Sequence, residues 1–135
     1  MRVLIADDQA WVRSALRSLL TEEKNILVVG EASNLGELFS ISYREQPDLI
    51  LLDWELSGFP SSAISLSADH PDRRRSEQRR NVVLLDLHKL NSHPALVVLS
   101  SHPEACQASL TGGADAFVLK GGPPEELLKV LRSIN

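Results

Sequence analysis

Cysteine is almost absent from this chain of 135 residues, in which Cys106 is the single example. One cysteine excludes a disulfide framework and a cysteine-rich metal site, and the four histidines lack the spacing of zinc ligands. No charged-then-apolar leader opens the sequence, and no apolar run approaches the length needed to cross a bilayer. We therefore expect a cytoplasmic protein without a membrane partner.

The chain also lacks an excess of positive charge, because its formal net charge is −4. Residues 70–81 carry five arginines against Asp72 and Glu77, a local charge of +3, so the rest of the chain carries −7. Nucleic-acid binding depends on basic side chains that neutralise phosphates. The acidic remainder therefore argues against direct nucleic-acid binding by this domain.

Apolar runs alternate with helical patterns along most of the chain. The runs predict strands over 2–6, 26–32, 48–53, 95–101 and 116–120, and the helical patterns cover 11–20, 34–47, 82–90, 103–113 and 123–134. Asn34 is the predicted N-cap of the second helix, with Glu37 three residues later. This alternation with short connections predicts one α/β domain over 1–135, a parallel sheet with helices on both faces.

An insert interrupts this rhythm at about 59–81, where the chain is rich in arginine, serine and proline. We expect a loop there, because clustered cations near a helix N-terminus oppose the helix dipole. The alternative is an N-terminal extension of helix three, capped by Asp72 and with Arg73 paired to Glu77. In function the insert is either a solvated loop without a role or a basic flap beside the site described next.

Polar side chains cluster at the predicted carboxyl ends of four strands, where ligands bind in doubly wound sheets. They are Asp7 and Asp8 after strand one, Asp53 closing strand three, Ser100 and Ser101 after strand four, and Lys120 closing strand five. If the strand order is 2-1-3-4-5, three carboxylates converge on one crevice. Such a cluster needs a cation, and a hard divalent ion such as Mg²⁺ is the natural guest. With a hydroxyl and an ammonium beside it, the set suits phosphoryl transfer to an aspartate.

The chain resembles a response-regulator receiver domain of two-component signalling. The matching stretches are "LIADDQ", "PDLILLDWELSG", "VVLSS" and "GGADAFVLK", and they cover essentially the whole chain apart from the insert between strand three and helix three. The stretches "VVGEASN" and "GADAFVLKG" are most similar to those of receivers that precede a LuxR-type helix-turn-helix. The resemblance implies a flavodoxin-like five-stranded parallel sheet of order 2-1-3-4-5.

The resemblance also implies roles for individual residues. Asp53 would be the phosphoacceptor, and the Mg²⁺ ligands would be Asp7, Asp8, Asp53 and the backbone carbonyl of Glu55. Ser100 and Lys120 would contact the phosphoryl oxygens. Phe117 would act with Ser100 as the conformational switch.

The implied partners are a sensor histidine kinase or phosphotransfer protein, and a second copy through the face formed by helix four, strand five and helix five. The short span from Ser100 to Lys120 predicts a trimmed helix four or a trimmed loop before it. The implied output is transcriptional, in a longer parent protein. We expect a phosphorylated switch, with at most slow autodephosphorylation, and not an enzyme.

Two other functions stay open at the level of sequence. One is a pseudo-receiver, a module for dimerisation or interaction that works without phosphorylation. The other is a phosphohydrolase of the haloacid-dehalogenase type, which uses an aspartate nucleophile and a carboxylate two residues later. Glu55 stands at that offset from Asp53, although the surrounding stretches resemble a receiver.

Overall fold

The computed structural model describes residues 1–59 and 71–134, without the side chains of 71–74 and 76. Strands and helices alternate throughout this part of the chain. The strands are β1 (Arg2–Ala6), β2 (Leu27–Ala32), β3 (Leu49–Asp53), β4 (Ala95–Ser100) and β5 (Ala116–Leu119). The helices are α1 (Ala10–Thr21), α2 (Leu35–Glu45), α3 (Pro71–His88), α4 (Ala105–Thr111) and α5 (Pro124–Ile134).

The five strands form one parallel sheet in the order β2-β1-β3-β4-β5. This confirms the predicted doubly wound, flavodoxin-like fold. The central strand β3 is buried along its whole length, as expected of a parallel strand covered on both faces. Its register places Leu51 opposite Ile5 on one side and opposite Val97 on the other. No helix in the described part of the chain is long and apolar enough to cross a membrane.

Alternate side chains of the strands build two cores, one on each face of the sheet. Leu4, Ile50 and Leu52 pack on the face covered by α2, α3 and α4. Ile5 and Leu51 pack on the opposite face, which α1 and α5 cover. The sheet therefore presents its carboxyl edge between two helical layers.

The start of α2 follows the predicted cap. The side chain of Asn34 accepts a hydrogen bond from the backbone N–H of Glu37 at 2.8 Å. The carboxylate of Glu37 accepts in return from the backbone N–H of Ser33 at 2.8 Å. One N–H group that the helix leaves unpaired is thus satisfied by Asn34, and the bond from Ser33 to Glu37 fixes the loop before α2.

The predicted loop over the arginine run is wrong from residue 71 onward. Helix α3 begins at Pro71 and continues without a break to His88, so helix three is extended as in the alternative, but Asp72 lies inside the helix and is not its N-cap. Proline suits the first helical position, and arginine, glutamine and glutamate are strong helix formers. The dipole penalty that favoured a loop amounts to only about 0.3–1 kcal/mol per charge. Residues 60–70 and the side chains of Asp72 and Arg73 lie outside the described part.

Helix α4, which precedes the edge strand β5, is short, as the sequence predicts. Helix α4 has seven residues and ends before Gly112 and Gly113. The second of these glycines adopts φ 115°, a left-handed conformation that ends the helix without the strain of a side chain. Strand β5 follows the trimmed α4 after a short connection, residues 112–115.

Candidate functional site

The parallel sheet brings the predicted site residues to one edge. Asp7 follows β1, Asp53 is the last residue of β3, Ser100 is the last residue of β4, and Lys120 follows β5. The backbone N–H of Lys120 donates to the carbonyl of Ser100 at 2.8 Å, which continues the ladder beyond the end of β5. The side chains therefore meet because the register of the sheet places these four ends side by side.

Three carboxylates form an acidic cluster at this edge. One oxygen each of Asp7, Asp8 and Asp53 lies within 4.8 Å of the others. Asp7 and Asp53 are buried, whereas Asp8 is exposed at the mouth of the crevice. The hydroxyl of Ser57 donates to Asp8 Oδ2 at 3.2 Å and links the loop after β3 to this cluster.

Lys120 is the cation paired with the buried carboxylates. Its Nζ lies 2.7 Å from Asp7 Oδ2 and 3.1 Å from Asp53 Oδ1. Burial disfavours the charged ammonium, but the neighbouring carboxylates of Asp7 and Asp53 outweigh it and raise the pKa of Lys120. Lys120 therefore holds a full positive charge against Asp53.

The carboxyl of Asp53 has an unusual protonation equilibrium. Burial is the largest cause, and with the charge of Asp7 it raises the pKa of Asp53 from 3.8 to about 6. Lys120 and the backbone N–H of Glu55, which donates to Asp53 Oδ1 at 3.0 Å, act in the opposite direction. At neutral pH Asp53 is thus mostly ionised, in an environment that makes its charge costly.

The donor set fits a divalent cation. Three carboxylates and one ammonium leave an excess of two negative charges in a crevice that opens through Asp8. All three donors are hard carboxylate oxygens, the type that Mg²⁺ prefers. Asp7, Asp8 and Asp53 could therefore hold the ion. The predicted contribution of the Glu55 carbonyl stays a prediction.

The side chain of Glu55 has a partner that sequence reasoning missed. The hydroxyl of Ser100 donates to both carboxylate oxygens of Glu55, at 2.9 and 3.1 Å. Ser100 Oγ also accepts from the backbone N–H of His102 at 3.0 Å. The two residues are 45 positions apart, and nothing in their local sequence indicates the contact.

Arg80 is a second residue near the site that sequence reasoning missed. It is fully buried, and its Nε donates to the backbone carbonyl of Trp54 at 3.0 Å. The sequence does contain a signal for the burial of Arg80, since Arg80 precedes Leu84 and Leu87 by four and seven residues. It therefore shares a helical stripe with two fully buried leucines.

Phe117, the predicted switch, lies at intermediate depth. It pairs with Val98 across β4 and β5 and packs against the core that contains Trp54 and Ala105. It therefore lies on the face of the sheet that α2, α3 and α4 cover. Its movement on phosphorylation stays a prediction.

Comparison with known proteins gives a consistent result. The sequence profile of the response regulator receiver domain matches residues 3–60. The nitrate/nitrite response regulator NarL of Escherichia coli is 33% identical over 129 residues, which cover 96% of this chain and 52% of NarL. The transcriptional regulatory protein YhcZ of Bacillus subtilis is 30% identical over 132 residues, or 96% and 52% of the two chains.

Solved structures show the same fold. A LuxR-family two-component response regulator from an Aurantimonas species superposes with a TM-score of 0.75 at 21% identity, covering 98% of this chain and 83% of that one. The present chain spans about half the length of the curated relatives that it matches.

Proposed function

This chain belongs to the response regulator receiver family, and from that premise we propose that it is a phosphorylation-dependent switch whose phosphoacceptor is Asp53. Mg²⁺ is the proposed cofactor. The proposed donor is a phosphohistidine of a sensor kinase or phosphotransfer protein, or a small acyl phosphate. Receiver domains in general interact with such donors.

The observation that carries the proposal is the surroundings of the Asp53 carboxylate. It is buried at the end of β3, it touches Lys120, and it faces two further carboxylates. Burial removes water that would otherwise compete for its oxygens and shield its charge. A raised pKa of about 6 still leaves the carboxylate ionised, and hence nucleophilic, at neutral pH.

In the proposed transfer, a carboxylate oxygen of Asp53 forms the new O–P bond while the P–N bond to the donor imidazole breaks. The electron pair of that bond stays on the imidazole nitrogen, and because the other ring nitrogen of the phosphohistidine already carries a proton, the histidine leaves as a neutral imidazole. Lys120 and the hydroxyl of Ser100 would hold phosphoryl oxygens, and Asp7 with Asp8 would hold the metal. The bound ion supplies positive charge that offsets the negative charge of the transferred group.

The proposal includes an output outside this chain. Because the relatives extend to about twice its length and one of them is named as a transcriptional regulator, we infer that the domain controls transcription through a further module. Homodimerisation through α4, β5 and α5 would be the means of that control. The domain itself would turn over no substrate beyond its own aspartyl phosphate.

The test is labelling with acetyl phosphate and Mg²⁺, followed by intact-protein mass spectrometry. One phosphoryl group should be added to the wild type and none to Asp53→Asn. Asp86→Asn, at an exposed position of α3, is the matched control and should label fully. A wild type that neither labels nor binds beryllofluoride would contradict the proposal and favour a phosphorylation-independent module. Steady hydrolysis of a phosphomonoester would instead favour a phosphohydrolase.

A further inference from the structure

Arg80 connects α3 to the turn that follows the proposed phosphoacceptor. Its guanidinium carbon lies 5.1 Å from the ring centroid of Trp54 and 5.3 Å from that of Phe59. Its Nε donates to the carbonyl of Trp54 at 3.0 Å. The arginine is therefore held by two aromatic rings and bonded to the residue directly after Asp53.

The bonded carbonyl belongs to the Trp54–Glu55 peptide, and the other end of that peptide faces Asp53. The N–H of Glu55 donates to Asp53 Oδ1 at 3.0 Å. A single rigid peptide unit thus accepts from Arg80 at its oxygen and donates to the acceptor carboxylate at its nitrogen. A cationic donor on the oxygen polarises the unit and strengthens the N–H as a donor.

The N-terminal side of Trp54 is fixed as well. Its backbone N–H donates to the carbonyl of Leu99 at 2.8 Å, at the end of β4. The N–H of Leu56 donates to the carbonyl of Asp53 at 3.1 Å. Within this turn, Arg80 is the only described side chain that holds the oxygen of the Trp54–Glu55 peptide, so its loss would leave the orientation of the peptide less firmly fixed.

We propose that Arg80 is a positioning residue for phosphoryl transfer, which fixes and polarises the Trp54–Glu55 peptide so that its N–H points at the acceptor oxygens of Asp53. The inference rests on the proposed function of Asp53. The group that would be stabilised is the anionic phosphoryl group, because the N–H of Glu55 would be a fixed hydrogen-bond donor beside its oxygens.

A purely structural role accounts poorly for a guanidinium here. Taking a charge out of water is costly, and buried ion pairs can often be replaced by apolar side chains without loss of stability. Burial lowers the pKa of Arg80, while the carboxylates of Glu55, Glu77 and Asp53 act against that change. The positive charge of Arg80 therefore lies near the carboxylates of the site, where it can act on Asp53.

The test compares three variants under saturating Mg²⁺. Arg80→Met keeps the apolar contact with the rings but loses the charge and the donor, Arg80→Lys keeps the charge, and Arg79→Met removes one charge from an exposed position of the same helix. We expect Arg80→Met to slow labelling by acetyl phosphate roughly tenfold. We expect Arg80→Lys to slow it about threefold, and Arg79→Met to match the wild type.

A spectroscopic measurement separates positioning from stability. In the unmodified protein, the amide proton of Glu55 should move upfield in Arg80→Met, because its hydrogen bond to Asp53 weakens, and it should stay in place in Arg79→Met. Thermal unfolding of each variant is recorded alongside. If Arg80→Met does not fold, Arg80→Lys carries the same comparison with a smaller shift.

Two results would overturn the inference. One is a folded Arg80 variant with the wild-type labelling rate, and the other is slower labelling with an unmoved Glu55 amide. Absence of labelling in the wild type would be a different failure, since it would contradict the proposed function. The amide shift, measured without any phosphodonor, would still show whether Arg80 positions the peptide.

Discussion

The hydroxyl of Ser100 is bonded to the carboxylate of Glu55, with 2.9 Å between Ser100 Oγ and Glu55 Oε1. This is the hydroxyl that a phosphoryl group on Asp53 is proposed to use. In the unphosphorylated protein, the carboxylate of Glu55 therefore accepts the hydrogen bond of the hydroxyl that the phosphoryl group would use. It also adds a fourth negative charge at the rim of the site. If Ser100 binds the phosphoryl group as proposed, phosphorylation would displace this contact.

Replacement of Glu55 should make the site more receptive to an anion. In Glu55→Gln the hydroxyl is held less strongly and one negative charge is gone, so beryllofluoride should bind about threefold to tenfold more tightly. The measurement is a titration of beryllofluoride at fixed Mg²⁺. Glu104→Gln removes an equal charge at an exposed position before α4 and should leave the affinity unchanged. Weaker binding in Glu55→Gln would show that the contact assists the bound state.

Asp53 should cost stability when it is ionised. Its folded-state pKa of about 6 lies above the ordinary value of 3.8, so the folded protein binds this proton more tightly than the unfolded chain does. The contribution of Asp53 to the free energy of unfolding is therefore highest below about pH 4 and falls as the pH rises toward 6. Above that range the full cost, on the order of 2–3 kcal/mol, is present.

Asp53→Asn removes this cost, so the variant should be more stable than the wild type at pH 8 without metal. The gain should shrink through the window from about pH 6 to pH 4 and vanish below it. Urea unfolding in the presence of a chelator measures the difference. Asp86→Asn, exposed on α3, should show no such gain. An equal gain for Asp53→Asn at pH 4 and pH 8 would contradict the assigned pKa.

The sequence was sufficient for the parts of the site that depend on strand ends. Asp53 closes a wholly apolar run, and such a run in an alternating α/β chain predicts a central buried strand. Once the strand order is given, Asp7 must lie beside it, and Lys120 follows at the same edge one strand further along, where its long side chain reaches Asp53. The cap formed by Asn34 and Glu37 was likewise predictable, because it depends on residues three apart.

The remainder depends on packing between distant segments. Arg80 lies 26 residues after Trp54, and only the folded α3 brings them together. The arginine run was predicted as a loop from its charge, while helix propensity and the buried stripe through Arg80 outweigh that charge. The contact of Ser100 with Glu55 depends on side-chain conformation, which no local pattern encodes.

Binding of Mg²⁺ should be visible in the fluorescence of Trp54, which is 1% exposed and adjacent to Asp53. Trp11 is 72% exposed, so Trp11→Phe leaves a single reporter at the site. Saturable quenching by Mg²⁺ is expected in that background. Adding Asp8→Asn should weaken the apparent affinity roughly tenfold, because one of three anionic ligands is lost. An unchanged affinity would place the ion elsewhere.

Lys120 should oppose metal binding and favour phosphoryl transfer. Its Nζ neutralises Asp7 and Asp53 at 2.7 and 3.1 Å, so Lys120→Met should bind Mg²⁺ roughly threefold to tenfold more tightly. The same variant should label with acetyl phosphate at least about tenfold more slowly, because the cation that meets the developing charge is missing. Lys129→Met, on an exposed position of α5, should change neither quantity. If the affinity and the labelling rate fell together in Lys120→Met, the lysine would be acting on the shape of the site and not through its charge.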